Sequence, residues 1–332
     1  MKVAVLFGGV SDEREVSIAS GVQVCAALRD AGHEVVALDT AVGPVSRAAE
    51  DDLRLAGVQM PAAAGANGAL DPASFLRHLQ SPAFADVDVC FIALHGGAGE
   101  DGSIQATLDV LGVPYTGSDH LGCALAMDKD VTKRLLRDAG IGTPPWIAGL
   151  PSADQVEAEL GLPVVVKAAS GGSSLRLHLA RDRSQLEAAL AAAADFGDLP
   201  ISEGFVAGRE LTVAILGDRA LPVGEIVPEH ELFDYECKYQ PGMAAEIFPA
   251  PIDEALAQRL QDIALRVHAL LRLRDVSRID FLVDADGRAW CLEANALPGM
   301  TANSLLPRAA RAAGLTFAEV CDELVQRAAR RS

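Results

Sequence analysis

The sequence has 332 residues, half of them hydrophobic, which is enough for roughly two or three domain cores and excludes a peptide or a disordered tail. Acidic residues outnumber basic ones by 46 to 28, and the resulting net charge of -18 repels nucleic acid phosphates and anionic lipid headgroups. We therefore expect neither a nucleic acid nor a membrane as a partner.

The cysteines and the N-terminus indicate the compartment. Six cysteines are scattered without any C-x-x-C spacing, which indicates buried thiols in a reducing environment and not a disulfide framework or a zinc site. The first apolar run ends at Gly8 and is too short for a signal peptide, and no run of about 18 apolar residues occurs. The sequence predicts a cytoplasmic protein.

The first part of the chain predicts an α/β domain. Its elements are a strand at 2–7, a helix at 12–30, a strand at 33–38, a buried strand at 87–94 and a helix from about residue 103. Residues 41–80 are rich in Ala, Gly and Pro and weakly patterned. A glycine-rich loop, 95–102, follows the buried strand.

Beyond a break at residues 114–118 the pattern changes. The predicted elements are helix 130–139, strand 163–167, strand 175–179, helix 184–194, strands 210–216 and 220–227, helix 253–271, a hairpin at 276–296 and helix 317–329. A glycine and serine loop, 170–174, separates two of the strands. The long stretch 228–251 lacks periodicity, which is typical of a lid.

The hairpin carries a polar face. Taking Asp286 and Gly287 as a two-residue type I′ turn puts Asp280 opposite Glu293. The same register puts Arg278 opposite Asn295. These four side chains project from one face because strand side chains alternate, and the core face is expected to carry Ile279, Phe281, Val283, Trp290 and Leu292.

Two carboxylates directly across a strand pair repel each other unless a cation lies between them. An oxygen-only set of Asp280, Glu293 and Asn295 favours Mg²⁺, which commonly bridges to phosphates. The alternative from the residues alone is a solvated polar face with an ion pair from Arg278 to Asp280.

Lysine is scarce in this chain, where almost all basic residues are arginine. The five lysines are Lys2, Lys129, Lys133, Lys167 and Lys238. In a chain so poor in lysine, the few lysines are expected at positions where a compact ammonium is needed.

These segments together resemble the D-alanine:D-alanine ligases of the ATP-grasp superfamily. The resemblance rests on residues 278–280, 293–295 and 297–301 at the C-terminal end, and on 8–17, 95–102, 114–117, 127–129, 167–174, 203–210 and 234–239, which follow in family order. It covers nearly the whole chain. It implies a three-domain ATP-grasp α/β fold with a Rossmann-like N-terminal domain.

The resemblance implies a reaction and domain limits. ATP phosphorylates one D-alanine carboxylate, the amine of a second D-alanine attacks the acyl phosphate, and ADP and phosphate are released, for peptidoglycan precursor synthesis. The implied domains are residues 1–117, which bind the first substrate, 118–203, which carry the glycine-serine loop, and 204–332, which carry the lid and the Mg²⁺ site. Two Mg²⁺ ions are expected, with Mn²⁺ as a substitute, and a homodimer is implied.

The resemblance also implies a role for individual residues. Catalysis is assigned to Glu13, Ser173, Tyr239 and Arg278; substrate binding to Glu13, His95, Gly299, Ser304 and Leu305; nucleotide binding to Lys129, Lys167, Glu203, Val206, Glu210 and Lys238; and the metal to Asp280, Glu293 and Asn295. Glu13 would receive the ammonium of the first D-alanine, although a carboxylate at a helix start also stabilises the helix dipole.

The chain departs from the family pattern at the glycine loop. Residues 168–171 lack the usual proline and charged pair, and Arg176 stands where the family usually has glycine. Arg176 either faces solvent or reaches the triphosphate. Ala296 replaces a small hydroxyl residue.

Three alternatives remain at this point. A related ligase could join D-alanine to D-lactate or make a secondary-metabolite dipeptide, and Tyr239 argues against the D-lactate ester. A nucleotide-binding regulator predicts gaps among the phosphate and metal residues, and the sequence has none. A dinucleotide dehydrogenase is disfavoured because residues 8–11 are not G-x-G-x-x-G.

Overall fold

The computed structural model describes residues 1–56, 72–171, 177–228 and 243–331. Three sheets make up the strand structure of these residues. Four residues to which the sequence assigns a role, Ser173, Arg176, Lys238 and Tyr239, lie outside the described ranges.

The N-terminal sheet confirms the predicted β-α-β start. Its strands are β1 (Lys2–Phe7), β2 (Glu34–Asp39), β3 (Gly43–Val45) and β4 (Val89–Ile92), in the order β3-β2-β1-β4. Strand β1 is parallel to both β2 and β4, and helix α1 (Arg14–Asp30) makes the crossover. The loops after β1 and β4 therefore leave the same edge of the sheet, where ligands of α/β proteins bind.

Two helices lie within the segment that the sequence left without structure. These are α2 (Arg47–Ala56) and α3 (Pro72–Leu79). The Phe75 side chain of α3 is buried in a cluster with Leu38 and Cys90, so tertiary packing supplies what the weak local pattern lacks. Helix α4 (Ser103–Leu111) begins where it was predicted.

The central sheet is antiparallel. Its strands are β5 (Trp146–Ala148), β6 (Val164–Ala168), β7 (Leu177–Ala180) and β8 (Pro200–Gly204), in the order β5-β8-β6-β7. Helices α7 (Ala153–Glu159) and α8 (Arg183–Ala193) cover it. Each of these helices is capped by a side chain, Ser152 or Asp182, that accepts a hydrogen bond from a backbone N–H in the first turn.

The third sheet carries the hairpin. Its strands are β9 (Arg209–Leu216), β10 (Arg219–Ala220), β11 (Gly224–Pro228), β12 (Ala244–Ile247), β13 (Val276–Val283) and β14 (Ala289–Asn295). The pairing order is β12-β11-β9-β13-β14, with β10 on β9. Helices α5 (His120–Met127), α6 (Lys129–Asp138) and α9 (Glu254–Leu270) contribute to the core beneath this sheet.

The last two helices return to the first sheet. Helices α10 (Leu305–Ala312) and α11 (Phe317–Ala329) share one hydrophobic core with strand β1, in which Leu306 and Leu324 are buried together with Phe7. A hydrogen bond from the Ala302 N–H to the Gln23 side-chain oxygen, 2.8 Å long, joins the preceding loop to α1. The C-terminal loop is thereby held beside the N-terminal sheet.

The predicted hairpin register is confirmed where it matters for the site, but the predicted turn is wrong. Arg278 pairs with Asn295 and Asp280 with Glu293. The turn has three residues, 285–287, because the Asp284 N–H donates to the Arg288 carbonyl oxygen and this pair closes the hairpin. Gly287 takes a left-handed φ of 75°, as the last residue of such turns usually does.

A β-bulge compensates for the longer turn. The pairing shifts between Asp280 and Phe281, so that Phe281 pairs with Cys291 and Leu292 is the extra residue. Two of the predicted core residues are therefore misassigned: Leu292 and Trp290 are only half-buried, whereas Cys291 and Ala294 pack into the core.

The structure also bears on the cysteines and on membrane insertion. Five cysteines lie in the described residues, and all five are buried free thiols, as the sequence predicted: Cys25, Cys90, Cys123, Cys291 and Cys321. Among the described helices, none combines the length and the apolar character needed to cross a bilayer.

Candidate active site

Arg278, Asp280, Glu293 and Asn295 project from one side of β13 and β14, and we call this set the hairpin face. The Arg278 guanidinium donates to the Asp280 carboxylate through Nε at 3.0 Å and Nη2 at 2.9 Å. The Thr212 hydroxyl donates to Asp280 Oδ1 at 2.6 Å from the neighbouring strand β9. Asp280 is thus buried and held from two directions.

The other carboxylate of the hairpin face meets a lysine. Lys129 Nζ lies 3.5 Å from Glu293 Oε2 and donates a 2.8 Å hydrogen bond to the Gly171 carbonyl oxygen. Since Lys129 is the first residue of α6, Gly171 belongs to the glycine-serine loop and Glu293 lies in β14, this ammonium joins three elements. Lys129, a predicted nucleotide-binding residue, therefore lies next to Glu293, a predicted metal ligand.

The charges of the hairpin face explain how its carboxylates coexist. Arg278 and Lys129 offset the repulsion between Asp280 and Glu293, so a metal ion is not required to relieve it. Burial lowers the pKa of Arg278, but the carboxylates of Asp280, Glu293 and Glu100 raise this pKa by more, and the net shift is upward. Arg278 is therefore a permanent cation at this site.

The donor set still fits a hard divalent ion. The described residues contain no group of three His, Cys, Asp or Glu side chains that could hold a metal. The hairpin face instead offers two carboxylates and the Asn295 carboxamide, whose Oδ1 accepts a 3.0 Å hydrogen bond from the Leu297 N–H. Oxygen donors of this kind suit Mg²⁺, which usually keeps several waters and shares phosphate oxygens.

A second charged cluster lies between the central and third sheets. Glu203, at the end of β8, is buried and forms ion pairs with two lysines, from Oε1 to Lys167 Nζ at 2.9 Å and from Oε2 to Lys133 Nζ at 2.5 Å. We call Lys133 and Lys167 the lysine pair. Burial raises the pKa of Glu203, but the charges and hydrogen bonds of the lysine pair outweigh burial and lower its pKa.

The other two predicted nucleotide residues lie on the connection that follows Glu203. Val206 is half-buried just after β8, and Glu210 is half-buried in β9. Gly208 between them approaches the β13 backbone so closely that an added Cβ would lie 2.5 Å from the Val283 carbonyl oxygen. Only glycine allows this close approach, so the connection can pack directly against the hairpin.

The loops after β1 and β4 build a third polar region. Glu13 is buried, and an added Cβ on Gly96 would lie 3.1 Å from its Oε2 atom. The Ser11 hydroxyl donates to the His95 carbonyl oxygen at 2.6 Å, and His95 Nε2 lies 3.0 Å from Ser20 Oγ. A cavity of about 430 Å³ opens beside these loops and is lined in part by Ser11, His95 and Gly96.

The remaining predicted substrate-binding residues, Gly299, Ser304 and Leu305, lie on the C-terminal loop and at the start of α10. Ser304 occupies the N-cap position of α10 without a side-chain capping hydrogen bond, and its Oγ lies 2.8 Å from Thr301 Oγ1. An added Cβ on Gly299 would lie 2.8 Å from Ser304 Oγ, so glycine is needed for the close approach of the loop. Leu305 begins the helix, where backbone N–H groups favour a carboxylate.

Three residues of these clusters escaped the sequence analysis. Thr212 and Glu100 come from elements that the sequence does not connect to the hairpin, although Glu100 lies in the 95–102 loop that the resemblance includes. Lys133 did carry a signal, because it is one of only five lysines and follows Lys129 by one helical turn.

Comparison with known protein families assigns both halves of the chain. Residues 2–118 match the family described as D-ala D-ala ligase N-terminus, and residues 135–326 match D-ala D-ala ligase C-terminus. A D-alanine--D-alanine ligase of Desulforudis audaxviator is 40% identical over 99% of this chain and 99% of its own length. Another, of Aquifex aeolicus, is 38% identical over 98% of this chain and 100% of its own length.

Solved structures agree in fold. A D-alanine--D-alanine ligase from Bacillus anthracis complexed with ATP aligns with a TM-score of 0.79 at 30% identity, covering 100% of this chain and 97% of that one. The VanG D-Ala:D-Ser ligase from Enterococcus faecalis aligns with a TM-score of 0.81 at 26% identity, covering 98% of each chain.

Proposed function

This chain belongs to the D-alanine–D-alanine ligase family, and we propose that it joins two D-alanine molecules at the expense of ATP. One D-alanine carboxylate takes the terminal phosphoryl group of ATP, which leaves ADP. The amine of the second D-alanine attacks the acyl phosphate, an amide bond forms, and phosphate and a proton depart. The dipeptide would serve peptidoglycan precursor synthesis.

The observation that carries this proposal is the similarity to curated relatives along the full length, at 40% identity over 99% of the chain. The three polar regions support it. Arg278 on the hairpin face and Lys167 beside Glu203 supply positive charge of the kind that phosphoryl transfer needs, and the loops after β1 and β4 supply the buried Glu13 carboxylate beside Gly96.

The first substrate would bind at the loops after β1 and β4. Glu13 would accept the ammonium of the first D-alanine, and His95 would lie near the second. Ser304 Oγ and the Leu305 N–H, at the start of α10, would hold the carboxylate of the second substrate. Ser173 and Tyr239 would complete the closure around both substrates with Glu13.

The nucleotide would lie between the second and third domains, whose limits we propose near residues 117 and 203. Lys129, Lys167 and Lys238 would bind its phosphates, while Glu203, Val206 and Glu210 would bind its adenosine. Arg278 would hold the transferring phosphoryl group and the oxyanion of the tetrahedral intermediate with its fork of N–H donors.

The hairpin face would hold the metal. Asp280, Glu293 and Asn295 would be the protein ligands of two Mg²⁺ ions, or of Mn²⁺ as a substitute. When bound, such ions neutralise charge on the phosphate oxygens. Hydrogen bonds from Arg278 and Thr212 already orient the Asp280 carboxylate. We further propose a cytoplasmic homodimer.

The test is an assay of ADP release with D-alanine, L-alanine, D-serine and D-lactate, singly and in pairs, together with mass spectrometry of the product. D-Alanine alone should support ADP release and yield the dipeptide. D-Serine is included because the E. faecalis neighbour is a D-Ala:D-Ser ligase. ADP release only when D-lactate or D-serine accompanies D-alanine would contradict the proposal.

A matched pair of variants tests the first-substrate site. Glu13→Gln should raise the KM for the first D-alanine by at least about tenfold, because the buried carboxylate loses its charge. Glu15→Gln removes a charge from the same helical turn without touching the Gly96 loop and should leave this KM unchanged. Equal effects of the two variants would indicate helix-dipole stabilisation instead.

A further inference from the structure

Lys133 is a buried charge to which the proposed reaction gives no role. Its side chain is fully buried on α6, one turn after Lys129. Burial lowers the pKa of this ammonium, Glu203 counteracts the effect, and the net shift is downward. A buried lysine is costly for the folded state, so its contacts need an explanation.

The Lys133 ammonium makes two hydrogen bonds and one ion pair with protein groups. An ammonium has three N–H donors. Lys133 Nζ lies 2.8 Å from Thr143 Oγ1, 3.0 Å from the Pro144 carbonyl oxygen and 2.5 Å from Glu203 Oε2. The Trp146 ring covers it, with its centroid 5.3 Å away. Because its side chain is fully buried among these groups, Lys133 is not accessible to a ligand.

Lys167 differs from Lys133 in access. Both lysines contact the Glu203 carboxylate, but the Lys167 side chain is 13% exposed and that of Lys133 is 0% exposed. Lys167 Nζ donates to Glu203 Oε1 at 2.9 Å, and within the described part of the chain this ammonium makes no second hydrogen bond or ion pair. Lys167 can turn to an anionic ligand, whereas Lys133 remains with Glu203.

We propose that Lys133 is a positioning residue for nucleotide recognition, which keeps Glu203 ionised and fixed as a hydrogen-bond acceptor when Lys167 binds phosphate. This inference rests on the nucleotide role proposed above for Glu203. Lys133 touches neither substrate and acts only through the carboxylate.

The proposal has a consequence for base selection. An ionised carboxylate accepts a hydrogen bond from the exocyclic amino group of adenine and repels the carbonyl oxygen that hypoxanthine carries at the same position. A protonated or displaced Glu203 would lose this preference. The ratio of ATP to ITP affinity therefore reports the state of Glu203 separately from folding.

The experiment is a double-mutant cycle. Lys133→Met, Glu203→Gln and the double variant are compared with the parent for the kcat and KM of ATP and ITP, and for binding of both nucleotides by calorimetry. Lys133→Met should raise the KM for ATP about tenfold, change the KM for ITP less, and leave kcat at saturating ATP within about twofold. In the Glu203→Gln background, Lys133→Met should not alter the ATP to ITP ratio further.

Several results would overturn the proposal. An ATP to ITP ratio that is unchanged by Lys133→Met, or an effect of this substitution that persists in the Glu203→Gln background, would make Lys133 a purely structural residue. Should Lys133→Met not fold, the comparison of the double variant with Glu203→Gln decides, because there both buried charges are removed together. Thr143→Val keeps the ion pair and should retain the parent ratio.

The calorimetric arm separates this inference from the proposed function. It needs no amino acid substrate, so a parent protein that binds ATP but does not ligate D-alanine would refute the reaction and leave the role of Lys133 open to measurement. If Glu203→Gln itself leaves the ATP to ITP ratio unchanged, the adenine role of Glu203 is wrong and the inference falls with it.

Discussion

The hairpin face and the cluster of Glu203 with the lysine pair differ in net charge. At the hairpin, two carboxylates meet two cations, counting Lys129 with Arg278. Around Glu203, one carboxylate meets both members of the lysine pair, which leaves one positive charge in excess. A neutral cluster of oxygen donors can accept a divalent cation, and a cluster with excess positive charge attracts a polyanion.

The two clusters also differ in access. The Glu293 side chain at the hairpin is 26% exposed, whereas that of Glu203 is 5% exposed. We therefore expect substitutions on the hairpin face to lower turnover. Substitutions around Glu203 should instead change nucleotide selection and folding stability.

The largest effect is expected for Glu293→Gln. The substitution preserves shape but removes one negative charge from the proposed metal ligands, which should slow turnover by at least about a hundredfold. Steady-state rates over a range of Mg²⁺ concentrations measure this. Asp286→Asn, on the exposed turn of the same hairpin, serves as control and should retain the parent rate. Near-parent turnover of Glu293→Gln at saturating Mg²⁺ would refute the metal assignment.

A smaller loss of turnover is expected for Arg278→Lys. The charge is retained, but the two parallel hydrogen bonds to Asp280 cannot be reproduced by a single ammonium. Single-turnover ADP formation should slow by about tenfold or more, with the KM for ATP changed less. An unchanged rate would mean that charge alone suffices at this position and that the guanidinium geometry is not used.

A weaker effect should follow from Thr212→Val. This buried, nearly isosteric change removes the 2.6 Å hydrogen bond to Asp280 Oδ1, a loss of about 1 kcal/mol, equivalent to a roughly fivefold higher Mg²⁺ requirement. Ser277→Ala is the control, because that hydroxyl contacts His268 and not the hairpin face. If both variants need the same Mg²⁺ concentration as the parent, Thr212 does not orient the carboxylate.

The hairpin shows how far the sequence predicts this site. The pairing of Asp280 with Glu293 was predicted from a two-residue turn that does not exist, and it is nevertheless correct because the bulge at Leu292 restores the register. Alternation of side chains therefore identified the face that carries the proposed metal ligands. The bulge has no local signal, since it depends on how Cys291 and Ala294 pack into the core.

The limits of prediction elsewhere have related causes. Helix α11 was predicted with the bounds observed, because its Thr316 cap and apolar spacing are local features. Helix α5 was missed because its sequence is nearly all apolar and lacks a polar face, and α10 was missed because Pro307 suggests a break although proline is tolerated in the first turn. The cluster around Glu203 joins α6, β6 and β8, and such meetings are set by tertiary structure.

The smallest effect is on folding stability at acid pH, where Glu203→Gln is compared with the parent. The lysine pair lowers the pKa of Glu203 in the folded state, while the unfolded chain has the ordinary value of about 4.3. Between these values the unfolded state binds more protons, so the stabilisation is present above about pH 4.3 and is lost as the pH falls through the lowered folded pKa. The free energy of unfolding, measured by urea titration from pH 6 downward, should therefore fall more steeply in the parent than in Glu203→Gln. Equal slopes would show that Glu203 is not held ionised by the lysine pair, which would remove the contrast between the two clusters.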